Sequence, residues 1–316
     1  MKTDSQPVEL SVVVPVYRSE HLLAVLVRRI EDVFDKLGLS AEIILVNDCS
    51  PDGSWSVIKE LQTSRVRLHG INLMRNYGQH AALLAGIQAS RGAVIVTMDD
   101  DLQTPPEEMP KLLEVLGQGN DVVYGIRERE QHGRFRNFCS TMAKKFLNKI
   151  LGVRVATSIT SYKAFRGELR QAFQGQIGPV VFIDAILCWG TTKIGTTVVR
   201  HEPRSDGASG YSICKLMLHT ANMVTSFSQV PLQIASFIGL GTMLLGFSLF
   251  IYVLGDFVFH GTPVRGFPFL GAALTFFSGV QLFVLGVIGE YLARMHQKSI
   301  GMPAFMVREA CGLGAC

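Results

Sequence analysis

Over roughly the first two hundred positions, short apolar runs alternate with polar turns and with apolar residues at helical spacing. Val8 to Val14 is an unbroken β-branched run ended by Pro15, which predicts a strand. Leu22, Leu23, Leu26, Ile30, Val33 and Phe34 then recur every three to four residues before Gly38, which predicts a helix over Glu20 to Leu37. The alternation repeats as a strand over Ala41 to Val46, turn residues Asn47 to Gly53 and a helix through Leu61. A strand over Val66 to Asn72, a helix over Gly78 to Ser90 and a strand over Ala93 to Met98 continue it. Pro105 and Pro106 open a helix through Leu116, Gly117 and Gly119 end it, and Asp121 to Tyr124 is the next strand. Strands that alternate with helices in this way predict an α/β domain with a doubly wound parallel sheet. Beyond Gly125 the pattern weakens: Arg134 to Leu151 reads as a basic amphipathic helix, Val180 to Trp189 as a buried helix or strand, and Ile194 to Val199 as a strand.

The remainder of the chain has a different character. From Leu216 to Gly255 no residue is charged apart from His219, and a second uncharged run extends from Gly266 to Gly289. Each is long enough to cross a bilayer. The organisation expected is a cytoplasmic domain over residues 1–210, an interfacial helix over 211–229, two transmembrane helices within 230–290, and a cytoplasmic tail over 291–316. The start MKTDSQPVEL lacks the features of a secretory signal. Lys193, Arg200, Arg204 and Lys215 precede the first span, and Arg294, Lys298 and Arg308 follow the second. This excess of cations places both termini in the cytoplasm and Phe257 to Val264 on the far side.

Composition narrows the function classes. A hydrophobic content of 48% over 316 residues can bury a sizeable core, and a net charge of +4 is too mild to point to nucleic acid. Cys49, Cys139, Cys188, Cys214, Cys311 and Cys316 form no CxxC pair and have no histidine at metal-ligand spacing, so reduced thiols are expected.

The candidate chemistry sits where the predicted strands end, which is where open α/β sheets bind ligands. Pro15 and Tyr17 follow the first strand, Asn47 and Asp48 the second, Asp99, Asp100 and Asp101 the fourth, and Gly125 and Arg127 the fifth. Three adjacent carboxylates repel one another, and hard divalent ions such as Mg²⁺ or Mn²⁺ prefer oxygen ligands of this kind. An isolated acidic triplet is more often a solvated turn; its place at a strand end favours the metal. Asp48 is suited to accept a hydrogen bond from a base or ribose, and Tyr17 to pack on a base, although each alone is equally a turn residue. Arg204, followed by SDGASGY, is a fork donor suited to phosphates or, equally, to lipid headgroups.

The segments VVVPVYRSE, ILVNDCSPDGS, NLMRNYGQHAALLAGI, VTMDDDLQTPPE, VVYGIR, HEPRSDGASGYS, SFSQVPL, GVQLFVLGVIGEYLARM and MPAFMVRE, taken in order, resemble the family 2 polyprenyl-phosphate glycosyltransferases of GT-A fold. The resemblance covers nearly the whole chain and is strongest to the bacterial branch with two C-terminal spans, which holds undecaprenyl-phosphate glucosyltransferases and aminoarabinose transferases. Dolichol-phosphate mannose synthase is a more distant likeness.

The resemblance implies that Pro15, Tyr17, Glu20 and Asp48 hold the nucleotide beside Asp100, that Asp99 and Asp101 are the metal pair, and that Gln103 lies beside sugar and metal. It implies phosphate contacts for Arg127 and Arg204. It also implies a UDP-sugar donor (GDP second), a polyprenyl phosphate acceptor, membrane lipid around the spans, a homotetramer, and residence in the bacterial inner membrane. One departure stands out: SITSYKAFR corresponds to a stretch that usually begins with Asp, and Ser158 stands there. The acceptor phosphate, with a second pKa near ~6, is already nucleophilic, so loss of a base there is tolerable and a neighbour such as Asp184 is a possible substitute. Competing readings are a GDP-mannose-dependent transferase, a catalytically impaired nucleotide-sugar binder, and a polysaccharide synthase. The last is disfavoured by the lack of a QxxRW motif and by only two spans.

Overall fold

The computed structural model describes residues 7–65, 67–127, 160–174, 181–202, 230–260, 267–299 and 301–312. They fall into two units, Met1–Gly210 together with Gly301–Cys316, and Tyr211–Ile300. The expected helix over Arg134 to Leu151 and the interfacial helix over 211–229 lie outside the described residues, as do Ser158 and Arg204.

The first unit is built on an eight-stranded sheet with the order β7-β5-β6-β4-β1-β2-β3-β8. Its strands are β1 (Leu10–Val16), β2 (Ala41–Asn47), β3 (Leu68–Leu73), β4 (Val94–Thr97), β5 (Val122–Arg127), β6 (Lys163–Arg166), β7 (Ile194–Val199) and β8 (Val307–Cys311). The helices are α1 (Leu23–Leu37), α2 (Ser54–Thr63), α3 (Gln79–Ala89), α4 (Met109–Gly117) and α5 (Ile183–Gly190), with 3₁₀ turns at Pro106–Glu108 and Gly167–Phe173. Alternate residues of the strands feed opposite faces. Val12, Val14 and Val16 of β1 pack with Leu26 and Ile30 of α1 and Leu112 of α4, while Val13 packs with Ala82 and Leu83 of α3 and Ile183 of α5. Helices on both faces explain why the central strands are apolar throughout instead of alternating.

The sheet is mixed rather than wholly parallel. β6 runs antiparallel to both β4 and β5, and β8 runs antiparallel to β3. Pro15 does not end β1 but sits inside it, paired with Val46. Pairing with β4 stops at Val13 and Thr97, so the proline's missing N–H falls beyond that ladder and interrupts none of its bonds.

At the amino ends of the strands, Glu42 (1% exposed) gathers a buried polar network. It accepts hydrogen bonds from Ser11 Oγ (2.7 Å), the Arg91 amide (2.7 Å), and Arg91 Nε and Nη2 (3.0 and 2.7 Å). His69 Nε2 lies 3.3 Å from its carboxylate, and His69 Nδ1 contacts the Gly312 carbonyl at 2.8 Å, which ties the tail to the sheet. Further along β8, Trp55 Nε1 donates to Glu309 (2.9 Å) and Arg308 Nη2 donates to the Met74 carbonyl (3.1 Å).

The second unit comprises α6 (Val230–His260) and α7 (Phe267–Ser299). At 1.5 Å per residue these are roughly 46 and 50 Å long, more than the ~30 Å hydrocarbon core. They lie side by side, and a Cβ added to Gly246 would meet the Phe277 ring at 3.3 Å. Within α7, Phe276–Ala293 is long and apolar enough to cross a membrane and is unburied; α6 carries a shorter apolar stretch, Ala235–Ser248. α7 continues nine residues beyond the expected limit at Glu290, because Tyr291 to Lys298 contains no helix breaker.

Candidate active site

The chain adds β2 and β3 on one side of β1 and then returns to place β4 on the other, so β1 and β4 flank a switch point. Their carboxyl ends diverge there and leave room for a ligand. Hydrogen bonds bring the two loops together: the Tyr17 amide (3.0 Å) and Ser19 Oγ (2.5 Å) both donate to Asp100 Oδ2. Asp100 is therefore the internal brace of the acidic turn. Its carboxyl is pushed up to about 6 by burial, with Asp99 and Asp101 adding to the rise against the bonds from Ser19 and Tyr17.

Asp99 accepts from Gln79 Nε2 (2.6 Å) on one oxygen and from Ser161 Oγ on the other. Burial raises its carboxyl and Asp101 raises it further, while Ser161, Lys163 and Gln79 oppose the shift. Asp101 accepts from the amide (3.1 Å) and side-chain Nε2 (2.5 Å) of Gln103. Gln103 Oε1 in turn lies 2.9 Å from His201 Nε2, and its carbonyl accepts the Glu202 amide (2.7 Å). An amide oxygen can only accept, so His201 carries its proton on Nε2 and leaves Nδ1 to face Thr104 Oγ1 at 3.3 Å. Burial lowers the His201 pKa and the nearby Arg127 lowers it further, against the opposing pull of Asp101.

The loops after β1 and β2 form the adjoining wall. Asp48 (4% exposed) accepts the Tyr77 and Gly78 amides at 2.7 and 2.8 Å, so a strand-end carboxylate sits at the amino end of α3. Its pKa is raised by burial, which outweighs these two bonds. Glu20 accepts the Gly53 amide (2.5 Å) and its own amide reaches Asp52 (3.3 Å). Burial would raise the Asp52 carboxyl, but the hydroxyls of Ser50 and Ser54 and the Ser54 and Glu20 amides hold it at about 2. Glu20 and Asp48 thus shape the wall through its backbone, while the Tyr17 ring stays 44% exposed with Arg18 stacked at 5.4 Å. Arg18 (φ 60°), Cys49 (φ 51°) and Leu102 (φ 58°) are left-handed, and each lies in one of these three strand-end loops. Strain concentrated in this way is typical of a ligand-binding site.

The structure therefore gathers Tyr17, Asp48, Asp99, Asp100, Asp101 and Gln103 at one end of the sheet. Arg127, exposed at the end of β5, stands close enough to His201 to depress its pKa. Pro15 is a buried strand residue one step beneath the loop. Asp184 does not face the acidic turn freely: it is paired with Lys163 Nζ and accepts from Tyr124 OH (3.1 Å). Sequence reasoning missed Ser19, Gln79, Ser161 and His201. Each is a common polar residue, and only the fold brings it to an aspartate or its partner.

The donors fit a hard divalent cation. Asp99 and Asp101 stand two residues apart, feel each other's charge and lie at the open end of the sheet. Among the described residues no three His, Cys, Asp or Glu side chains converge as a metal cage. A carboxylate pair that leaves positions for water and phosphate oxygens is how Mg²⁺ is usually held.

The family model for glycosyl transferase family 2 matches residues 11–173. An undecaprenyl-phosphate 4-deoxy-4-formamido-L-arabinose transferase from Pseudomonas paraeruginosa is 36% identical, over 95% of this chain and 90% of its own length. A relative of the same name from Aeromonas hydrophila is 33% identical over 95% and 93%. Among solved structures, S. aureus TarS 1-349 in complex with UDP-GlcNAc aligns at a TM-score of 0.49 and 16% identity over 69% of this chain and 66% of that one. With a mixed GT-A-like sheet, an acidic turn at its switch point and these relatives along nearly its full length, the chain belongs to glycosyl transferase family 2, in the polyprenyl-phosphate branch of the aminoarabinose transferases.

Proposed function

We propose that this glycosyltransferase moves one sugar from a UDP-sugar onto undecaprenyl phosphate, with inversion, at the cytoplasmic face of a bacterial inner membrane. The observation that carries the reading is the acidic turn at the β1–β4 switch point, braced by Tyr17 and Ser19 so that Asp99 and Asp101 stand together. The relatives' names support the lipid acceptor and make 4-deoxy-4-formamido-L-arabinose the first sugar to try. UDP over GDP rests on the resemblance.

In this reading Asp99 and Asp101 hold Mg²⁺ or Mn²⁺, which when bound offsets charge on the departing nucleoside diphosphate. Gln103, oriented by His201, places an amide beside the same position. Arg127 and Arg204 supply guanidinium groups for phosphates. Tyr17 offers an exposed ring for the base, and Glu20, Asp48 and Pro15 keep its wall in shape. The acceptor's dianionic phosphate is itself the nucleophile, so catalysis consists mainly of alignment and charge stabilisation.

The tail supports the membrane topology. β8 pairs with β3, so the chain that leaves the first unit after Gly210 returns to it at Gly301. A sheet cannot be shared across a bilayer, and the number of crossings in between must be even. If α7 spans, α6 spans with it, as the domain limits 1–210, 211–229, 230–290 and 291–316 anticipate. The homotetramer belongs to the same proposal and is readable by native mass spectrometry.

The test is a donor panel. Membranes containing the chain are incubated with undecaprenyl phosphate, a divalent cation and UDP-4-deoxy-4-formamido-L-arabinose, UDP-glucose or GDP-mannose, and lipid-extractable sugar is measured. Transfer from a UDP-sugar is expected; labelling from GDP-mannose alone would transfer the assignment to a mannosyltransferase, and donor binding without turnover would reduce it to a binder.

A further inference from the structure

Beneath the acidic turn lies an ion pair that the proposed chemistry does not use. Lys163, the first residue of β6, is 1% exposed, and its Nζ pairs with Asp184 at the start of α5. Asp184 also accepts from Tyr124 OH, and the ammonium lies 5.5 Å from the Tyr124 ring centroid. Lysine is almost never fully buried, and a buried ion pair rarely stabilises a fold more than an apolar pair of the same volume. Packing alone gives no reason for it.

Its position does. Lys163 pairs in register with Thr97 of β4, two residues before Asp99. Ser161, two residues earlier on the same β6 approach, places its hydroxyl on Asp99 Oδ2, and its carbonyl accepts from Thr97 Oγ1 at 2.7 Å. Asp99 is thus held from behind by one segment carrying first a hydroxyl and then a cation. The strand register and the Ser161 bond bring this segment behind Asp99, and the attraction of Lys163 favours the Asp99 carboxylate.

We propose that Lys163 is a positioning residue for the acidic turn: a fixed cation behind Asp99 that limits how tightly Asp99 and Asp101 hold a divalent ion. Three adjacent aspartates without such a counter-charge would retain the ion strongly, and an enzyme that must release a metal-bound nucleoside diphosphate on every turnover is slowed by that. Asp184 tempers the lysine, and Tyr124 holds Asp184 in place. This inference rests on the metal reading of Asp99 and Asp101.

The test is Mn²⁺ alone, titrated into the full chain in detergent micelles and followed by the electron paramagnetic resonance of the free ion. Asp184→Asn keeps an acceptor for Tyr124 and leaves Lys163 unneutralised, so Mn²⁺ should bind at least about three-fold more weakly. Lys163→Met combined with Asp184→Asn removes both charges and should bind at least about three-fold more tightly than the native chain. The double variant leaves no buried charge unpaired, which preserves folding if the single one does not. Asp99→Asn is the control. If it lowers Mn²⁺ affinity while the double variant stays within a factor of two of the native chain, Lys163 is merely structural and this inference fails. If Asp99→Asn leaves Mn²⁺ binding unchanged, the metal reading fails and takes this inference with it.

Discussion

Glu42→Gln tests whether the polar network at the far end of the sheet from the active site holds the catalytic unit together. Burial alone would raise the Glu42 carboxyl, yet the bonds from His69, Ser11 and Arg91 hold it at about 2 against an ordinary value of 4.5. At ~1.36 kcal/mol per pKa unit, that depression corresponds to about 3 kcal/mol of folding stability at neutral pH. Glutamine keeps the oxygen facing Ser11 and the Arg91 amide but turns an NH₂ toward Arg91 Nε and Nη2, so donors meet donors. The Arg91 side chain is 60% exposed, so water recovers part of the loss and about 3 kcal/mol is its upper value. For a unit of this size the melting temperature should fall by at most roughly 6–12 °C. The pH dependence supplies the sign: a depressed folded pKa gives stability that is present above 4.5 and lost as pH falls toward 2. The measurement is thermal unfolding of both proteins in detergent at pH 7 and at stepped acid pH. The gap between them should narrow on acidification and be half closed midway between the two pKa values. A gap under 1 °C at pH 7, or one unchanged by acid, refutes the reasoning.

Asp99→Asn and Asp101→Asn should each lower single-turnover transfer by at least ~100-fold while leaving membrane insertion intact, and a chelator should do the same to the native chain; full turnover under all three conditions sinks the metal-assisted mechanism. Ser161→Ala removes the hydroxyl on Asp99 and should lower kcat about ten-fold with little change in donor KM, a prediction that an unchanged kcat contradicts. In a background without native cysteines, a cysteine at Val258 should react with an impermeant reagent from outside intact cells; labelling only after permeabilisation reverses the topology. Native chain and Ser158→Asp, compared at saturating metal, should both transfer, the variant faster; a silent native chain fully rescued by aspartate would mark the sequence as catalytically crippled.

Much of the first unit is legible from local pattern because its central strands are buried on both faces. Runs such as Val12 to Val14 and Ile43 to Val46 carry little but β-branched and aliphatic residues, and Ile194 to Val199 is a strand within the limits its pattern predicts. β6 is not legible: four residues beginning with a lysine give no period, and its antiparallel pairing with β4 and β5 is a long-range event. β8 fails for the same reason, since VREAC has the polarity of a loop and becomes a strand only against β3. In the site, the aspartates are readable because they cluster at one predicted strand end, whereas Gln103 comes from the family resemblance. Gln79 reaches them from α3, Ser161 from just before β6 and His201 from just after β7, and no spacing along the chain announces those meetings.

β8 also imposes an order on the protein's birth. It lies within the last ten residues, so the ribosome has already made α6 and α7 before the strand that covers β3 exists. Until then β3 presents an unpaired edge, the kind of surface that recruits other strands and aggregates. That edge is covered by a segment that follows α6 and α7, and the same segment then grips Met74, at the base of the loop that supplies Tyr77 and Gly78 to Asp48. A chain that stops before α6 has neither its closing strand nor that grip, so the wall that holds Asp48 is completed only after α6 and α7 have been made.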